Sequence, residues 1–281
     1  MASAKPDFAL PSQTVLHARY LLGDTLGGGA LGITYRAVQL DAPARGRVVA
    51  VKEFFPRALA VRAADGSVQP MPKGAADFAL YCARFVRGYR FLHAMADYPP
   101  LVPLLDLFEE NGTAYVVMAY IEGETLAQRV KAHGAIPPRA LMRMMRPFLH
   151  DLAALHQRQI IHRAIMPRNI LLRGENPPML LDFGGARPDD WPLRRCPVLI
   201  GRGYLPPEQI CQSRQGSWTD VYALCATMYY ALTAKEPADA LERLFAAKPG
   251  KDDPLVPIRA LCPKLPRKQA DALMAGLSLD S

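Results

Sequence analysis

No Asp or Glu occurs between Asp77 and Asp97, and none occurs between Asp151 and Glu175. Each gap removes carboxylate chemistry from the residues it spans: no acid or base of that kind, and no charged oxygen ligand for a hard cation. From Gly185 to Leu205 there is no Ser or Thr, so Tyr204 carries the one side-chain hydroxyl of that segment. No apolar run approaches the roughly 18 residues that would suggest a membrane span. The opening MASAKPDFALPSQT lacks the apolar core of a signal peptide, so cytoplasmic residence is the expectation. Five cysteines (Cys82, Cys196, Cys211, Cys225 and Cys262) show no paired spacing and no C-x-x-C pattern. That argues against a disulfide framework and a zinc site, and leaves reduced structural thiols.

What is present is ordinary globular material. The chain has 281 residues, 50% hydrophobic and 21% charged, enough for one large domain or two lobes sharing a cleft. The net charge of +8 would suit an anionic partner, but the densest basic cluster, Arg194-Arg195, has no interleaved aromatic platform. Nucleic acid is therefore not an expected partner. Arginines spread over the surface account for the charge.

Residues 1–14 are expected to form a flexible tail, residues 15–118 a small β-rich lobe and residues 119–281 a larger helical lobe. From Tyr20 to Lys52 the pattern is strand, Gly-rich turn, strand, loop, strand; Val48-Val49-Ala50-Val51 is a short buried run. Pro56 to Gly74 reads as loop, with Asp65-Gly66 a turn signal, and residues 75–96 as a helix. Tyr115 to Met118 reads as a strand, Gly123 as a break, and residues 139–157 and 218–234 as long helices. A strand-rich first part followed by a helical second part predicts an α+β fold.

Gly27, Gly29 and Gly32 fit G-x-G-x-x-G. Glycine lets backbone approach phosphate oxygens and present several N–H groups to them. Alone the match is weak, because a Gly-rich hairpin satisfies it equally well. A dinucleotide-binding reading needs a helix right after the third glycine, whereas Ile33-Thr34-Tyr35 continues as strand. Ala50-Val51-Lys52 then ends a strand, and the ordered pair of glycine hairpin and strand lysine is the more specific signal.

Four further segments follow: His162-Arg163-Ala164-Ile165-Met166-Pro167-Arg168-Asn169, Asp182-Phe183-Gly184, Pro206-Pro207-Glu208 and Trp218-Thr219-Asp220-Val221-Tyr222-Ala223-Leu224. In this order, over residues 15–281, the chain resembles the eukaryotic-like Ser/Thr protein kinases of bacteria. The resemblance implies a two-lobed protein-kinase-like fold. It implies an ATP site built from Gly27, Gly29, Gly32, Ala50, Lys52 and Leu171, with Met118 as gatekeeper and Ala119 and Ile121 in the hinge. It also implies Mg²⁺ held by Asn169 and Asp182, and a catalytic loop braced by Asp220.

The chain departs from that family at four cooperating positions. Ala164 replaces the Asp that accepts the substrate proton, and Met166 replaces the usual Lys. Gly88 stands where the helix after the lysine carries its paired Glu, and Gly201 stands where a substrate-facing Thr is usual. Arg163, the family's phosphate-reading arginine, finds no Ser or Thr in the Gly185–Leu205 segment. The final Leu277-Ser278-Leu279-Asp280-Ser281 resembles a family stretch cut short before its last helix, so the arginine that normally pairs with Glu208 would lie beyond Ser281. The expectation is a pseudokinase that binds ATP and Mg²⁺ and acts through protein partners. The alternative is an atypical enzyme, a weak kinase or a nucleotidyl transferase, using Lys52, Asn169 and Asp182.

Overall fold

A computed structural model describes residues 8–29, 31–41, 46–93, 102–183, 187–188, 201, 203–246 and 252–280. The chain divides into two compact units, Met1–Ile121 and Glu122–Ser281.

The first unit is built on a six-stranded antiparallel sheet. Its strands are β1 (Val15–Leu16), β2 (Tyr20–Gly28), β3 (Gly32–Gln39), β4 (Arg47–Phe54), β7 (Leu104–Glu110) and β8 (Thr113–Ala119). The order across the sheet is β1-β2-β3-β4-β8-β7. β3 alternates in the manner of a half-covered strand, with Ile33, Tyr35 and Ala37 buried. β4 is buried on both faces from Val49 to Phe54, which is why its sequence reads as a continuous apolar run broken by Lys52 and Glu53.

The helix α1 (Ala75–His93) covers one face of this sheet. Phe54 from β4 lies 5.5 and 5.3 Å, centroid to centroid, from Phe78 and Phe85 of α1, and Phe85 meets Tyr89 edge-on at 4.9 Å. Burying one such ring contributes about 1.5–3 kcal/mol. Truncating Phe54 to Ala would therefore loosen α1 from the sheet. Gly88 is buried within α1, and the helix continues past it to His93.

Pro56 to Gly74, which the sequence presents as loop, contains a hairpin. β5 (Ala60–Arg62) pairs antiparallel with β6 (Val68–Pro70). The turn between them holds Gly66 at φ +87°, a conformation that favours glycine, and the Ser67 N–H donates to the Asp65 carboxylate at 2.9 Å. Strands this short give no detectable period, so long-range contacts decide the hairpin.

Phe8 to Thr14 also pack on this unit. Leu10 is buried, Phe8 stacks on Phe55 at 5.6 Å, and the Gln13 N–H donates to the Leu22 carbonyl at 2.7 Å.

The second unit is helical around α5 (Ser217–Thr233). Residues on every side of α5 are buried, as expected of a helix at the centre of a core. Around it lie α2 (Leu126–His133), α3 (Pro138–Gln157), α4 (Pro207–Ile210), α6 (Ala240–Ala246), α7 (Ile258–Leu261) and α8 (Arg267–Ala275). Thr125 and Gln128 form a capping box that satisfies the first turn of α2. A small antiparallel sheet joins β9 (Glu124–Thr125), β11 (Ile170–Arg173) and β12 (Asn176–Leu180), and β10 (Ile160–Ile161) pairs with β13 (Arg187–Pro188). A six-stranded sheet with one long helix, followed by a helical unit, is the α+β kinase-like architecture that the motif order implies.

Candidate functional site

The Gly-rich hairpin joins β2 to β3, and the Gly29 N–H donates to the Gly32 carbonyl at 2.8 Å across its tip. The three glycines have different surroundings. A Cβ on Gly32 would collide with the Glu53 carbonyl of β4, so the sheet itself demands glycine there. A Cβ on Gly27 or Gly29 would meet nothing within 4 Å.

Lys52 lies opposite Thr34 on one side of β4 and Val116 on the other, and its side chain is buried. Its ammonium stands 6.0 Å from the centre of the Tyr89 ring on α1, beside Gly88. Ala50, two residues earlier on the same face of β4, lies opposite Met118 on β8. Met118, Ala119 and Ile121 are half-buried at the end of that strand.

Glu53 follows Lys52 and therefore points to the opposite face of the sheet. There it is 0% exposed and fully engaged. The Arg62 guanidinium donates to its two oxygens at 2.8 and 2.6 Å, and the hydroxyls of Tyr35 and Tyr115 donate at 2.8 and 2.9 Å. Burial, with the Glu53 charge alongside, raises the titration of both tyrosines well above the ordinary phenol value. This cluster was not evident from sequence. The one hint was a carboxylate inside a run otherwise buried on both faces.

In the second unit the loop from His162 to Asn169 is held by Asp220 of α5, which is 0% exposed. Its carboxylate accepts from the backbone N–H of His162 at 2.8 Å and of Arg163 at 2.7 Å, and lies 2.9 Å from His156 Nε2. These bonds secure Arg163 at φ +64°, where a non-glycine residue is strained. The Arg163 side chain donates to Gln215 at 2.7 Å, and Gln209 donates to the Arg163 carbonyl at 3.1 Å. The bracing role of Asp220 is the one the motif implies; His156 and Gln215 are additions.

His162 is buried and its tautomer is fixed. The Ala164 N–H donates to Nδ1 at 3.3 Å, so the ring proton sits on Nε2 and donates to the Leu181 carbonyl at 3.1 Å. Phe183 meets the ring edge-on at 4.6 Å. Asn169 donates its amide N–H to the Ala164 carbonyl at 2.8 Å, which leaves its Oδ1 as the group able to face a cation. Asp182 is half-buried at φ +61°. Leu171 is buried on β11 opposite Thr125 and Met179.

Met166 is 4% exposed, and Arg168 donates to its sulfur at 3.0 Å. Its methyl group fills the space beside Gly201: a Cβ there would lie 2.6 Å from Met166 Cε. Gly201 itself has φ +85°. Glu208 is buried and accepts from the Thr219 hydroxyl at 2.8 Å. Most of the segment from Gly184 to Arg202 lies outside the described residues.

A protein kinase domain profile matches residues 20–248. The chain belongs to the protein kinase domain family. It is 30% identical over 236 residues to serine/threonine-protein kinase PknA of Nostoc sp., covering 81% of this chain and 39% of that one. It is 32% identical over 267 residues to serine/threonine-protein kinase pkn2 of Myxococcus xanthus, covering 92% of this chain and 29% of the relative. The chain thus spans well under half of these relatives. A solved structure described as the PpkA-294 apo form superposes with a TM-score of 0.72 at 26% identity, over 97% of this chain and all of the other.

Proposed function

We propose that this kinase-family chain is a pseudokinase that binds ATP and Mg²⁺ and regulates protein partners, without acting as a phosphotransferase. The observation that carries the reading is the intact loop around Ala164. Asp220, His162 and Asn169 make their supporting hydrogen bonds, yet the position that should accept the substrate proton is a methyl group. No Asp or Glu between Asp151 and Glu175 can stand in. General-base catalysis is worth roughly 10²–10⁴-fold, and Met166, Gly88 and Gly201 remove groups that would act with it.

The nucleotide half of the reading rests on residues that suit one. Open space beside Gly27 and Gly29 means packing does not require glycine there, whereas close approach of a phosphate to backbone N–H groups does. In the first unit Lys52 offers a cation for phosphates, and Ala50, Met118, Ala119 and Ile121 offer apolar and hinge surface for a base; Leu171, in the second unit, is apolar as the family pattern requires. Asn169 Oδ1 and the Asp182 carboxylate are hard oxygen donors of the kind Mg²⁺ takes. When bound, the metal would neutralise phosphate charge; the protein's part is to hold and orient.

The test is thermal denaturation with and without ATP and Mg²⁺, alongside incubation with ATP labelled at the α or γ phosphate. Binding at 100 times Kd adds about 2.7 kcal/mol of stability, and Lys52→Met should abolish the gain. Unshifted melting at millimolar ATP would remove the nucleotide from the reading. Label retained on the protein would replace it with the enzymatic alternative: γ label for a kinase, α label for a nucleotidyl transferase.

A further inference from the structure

α3 carries a row of charge that the kinase-like site does not use. Arg139, Arg143, Arg146 and His150 are all exposed and recur at i, i+4, i+7 and i+11. At about 100° per residue they fall within a narrow arc of the helix. The buried residues Leu141, Met145, Phe148, Leu152 and Leu155 form the opposite face. The helix is therefore anchored by one side and presents three arginines and an imidazole directly outward. No ion pair joins any of these arginines to another described residue.

We infer that this row is a docking surface for an acidic helical segment of a partner protein. The charge is arranged as a line about 16 Å long and one side chain wide. The half-buried Met142 and Leu149 run along one side of it, and neither is charged. A membrane surface is planar and favours a broad basic patch; single-stranded nucleic acid favours aromatic platforms, and the row has none. A second helix lying along α3 fits better. Carboxylates at matching i, i+4, i+7 spacing would face the arginines, and its apolar shoulder would rest on Met142 and Leu149. The net charge of +8 would draw such a partner in from a distance. This inference stands on α3 alone and does not depend on nucleotide binding.

The probe is a fluorescent helical peptide of about 20 residues, Ala- and Gln-based, with Glu at i, i+4, i+7 and i+11. Its Gln-for-Glu counterpart is the blank. Anisotropy should rise with the whole chain, fall with added salt, and stay flat for the blank. The triple variant R139E/R143E/R146E should bind roughly tenfold more weakly, since each exposed pair is individually worth little. The control triple R259E/K264E/K268E changes net charge equally at other exposed positions and should weaken binding much less, by about twofold at most, the share that net charge contributes. Equal weakening by both triples would reduce the effect to net charge and overturn the inference, as would no binding of the peptide. Phosphatidylserine vesicles and a DNA duplex complete the set. If either binds more tightly than the peptide through the same three arginines, the assigned occupant is wrong.

Discussion

Met166 Cε lies 2.6 Å from where a Cβ on Gly201 would sit. The two positions at which the family usually carries a lysine and a threonine are thus one packing unit. Met166 occupies the volume, and Gly201, at φ +85°, makes room for it. Gly201→Thr is expected to cost about 1–3 kcal/mol, from a β-branched residue at positive φ and the overlap with Met166. The drop is read in urea denaturation midpoints. Ala164→Asp by itself is expected to leave phosphate transfer to a protein substrate at background, because the neighbouring volume stays apolar. Robust transfer from that single change would show that Met166 and Gly201 do not share in the loss.

Arg62 and Glu53 make the second testable pair. Glu53 has no solvent exposure, and Arg62 binds it while also donating to the carbonyls of Phe8 and Gly66. Removing one member leaves a buried charge uncompensated, which costs about 3–5 kcal/mol. Arg62→Met should therefore lower stability by that order. The double variant R62M/E53Q should recover part of the loss, since the two changes couple. A double variant that is merely additive would mean that the pair's charges do not interact.

These two relationships mark where sequence stops being informative. The strands between Tyr20 and Lys52 and the long helices α3 and α5 were legible, because their periods are sustained and Gly or Pro punctuates them. So was Asp220 under the catalytic loop, because motif order carried it. The hairpin at Ala60–Pro70 was not: three-residue strands have no period, and its pin, Arg62 to Glu53, depends on which face of β4 a carboxylate takes. His156 and Gln215 reach their partners across 64 and 52 residues. Nothing local in the chain announces those contacts. Met166 and Gly201 were each visible as departures, but only the fold shows that they are the same departure.

Arg243 and Asp253 give a pH-dependent contribution of known sign. The guanidinium hydrogen-bonds both carboxylate oxygens at 2.9–3.2 Å and holds the acid below the ordinary carboxylate range. A folded pKa below the unfolded one, about 3.9, means the stabilisation is complete above that value. It is lost as pH falls through the folded pKa. Asp253 is half exposed, so the contribution is about 1 kcal/mol at most. Asp253→Asn should be less stable than the parent at neutral pH, and the difference should close in acid, below about pH 4. A gap that stays constant from neutral to acid would assign the effect to packing.

The thiols should separate by burial. Cys211 is exposed, whereas burial raises the Cys225 thiol to about 11, and burial with the nearby Glu109 charge does the same to Cys82. The thiolate is the reactive form. At pH 8, a thiol titrating at 11 is ionised about 10²-fold less than an ordinary cysteine near 8.5. In a C196S/C262S background, which takes out a cysteine outside the described residues and the half-buried Cys262, a disulfide reagent should label Cys211 in a fast phase. Cys82 and Cys225 should follow slowly and speed up on partial denaturation, because opening the core both exposes the sulfur and restores its acidity. Adding Cys211→Ser should remove the fast phase; its persistence would place Cys82 or Cys225 in contact with solvent and contradict the packing of α1 or α5.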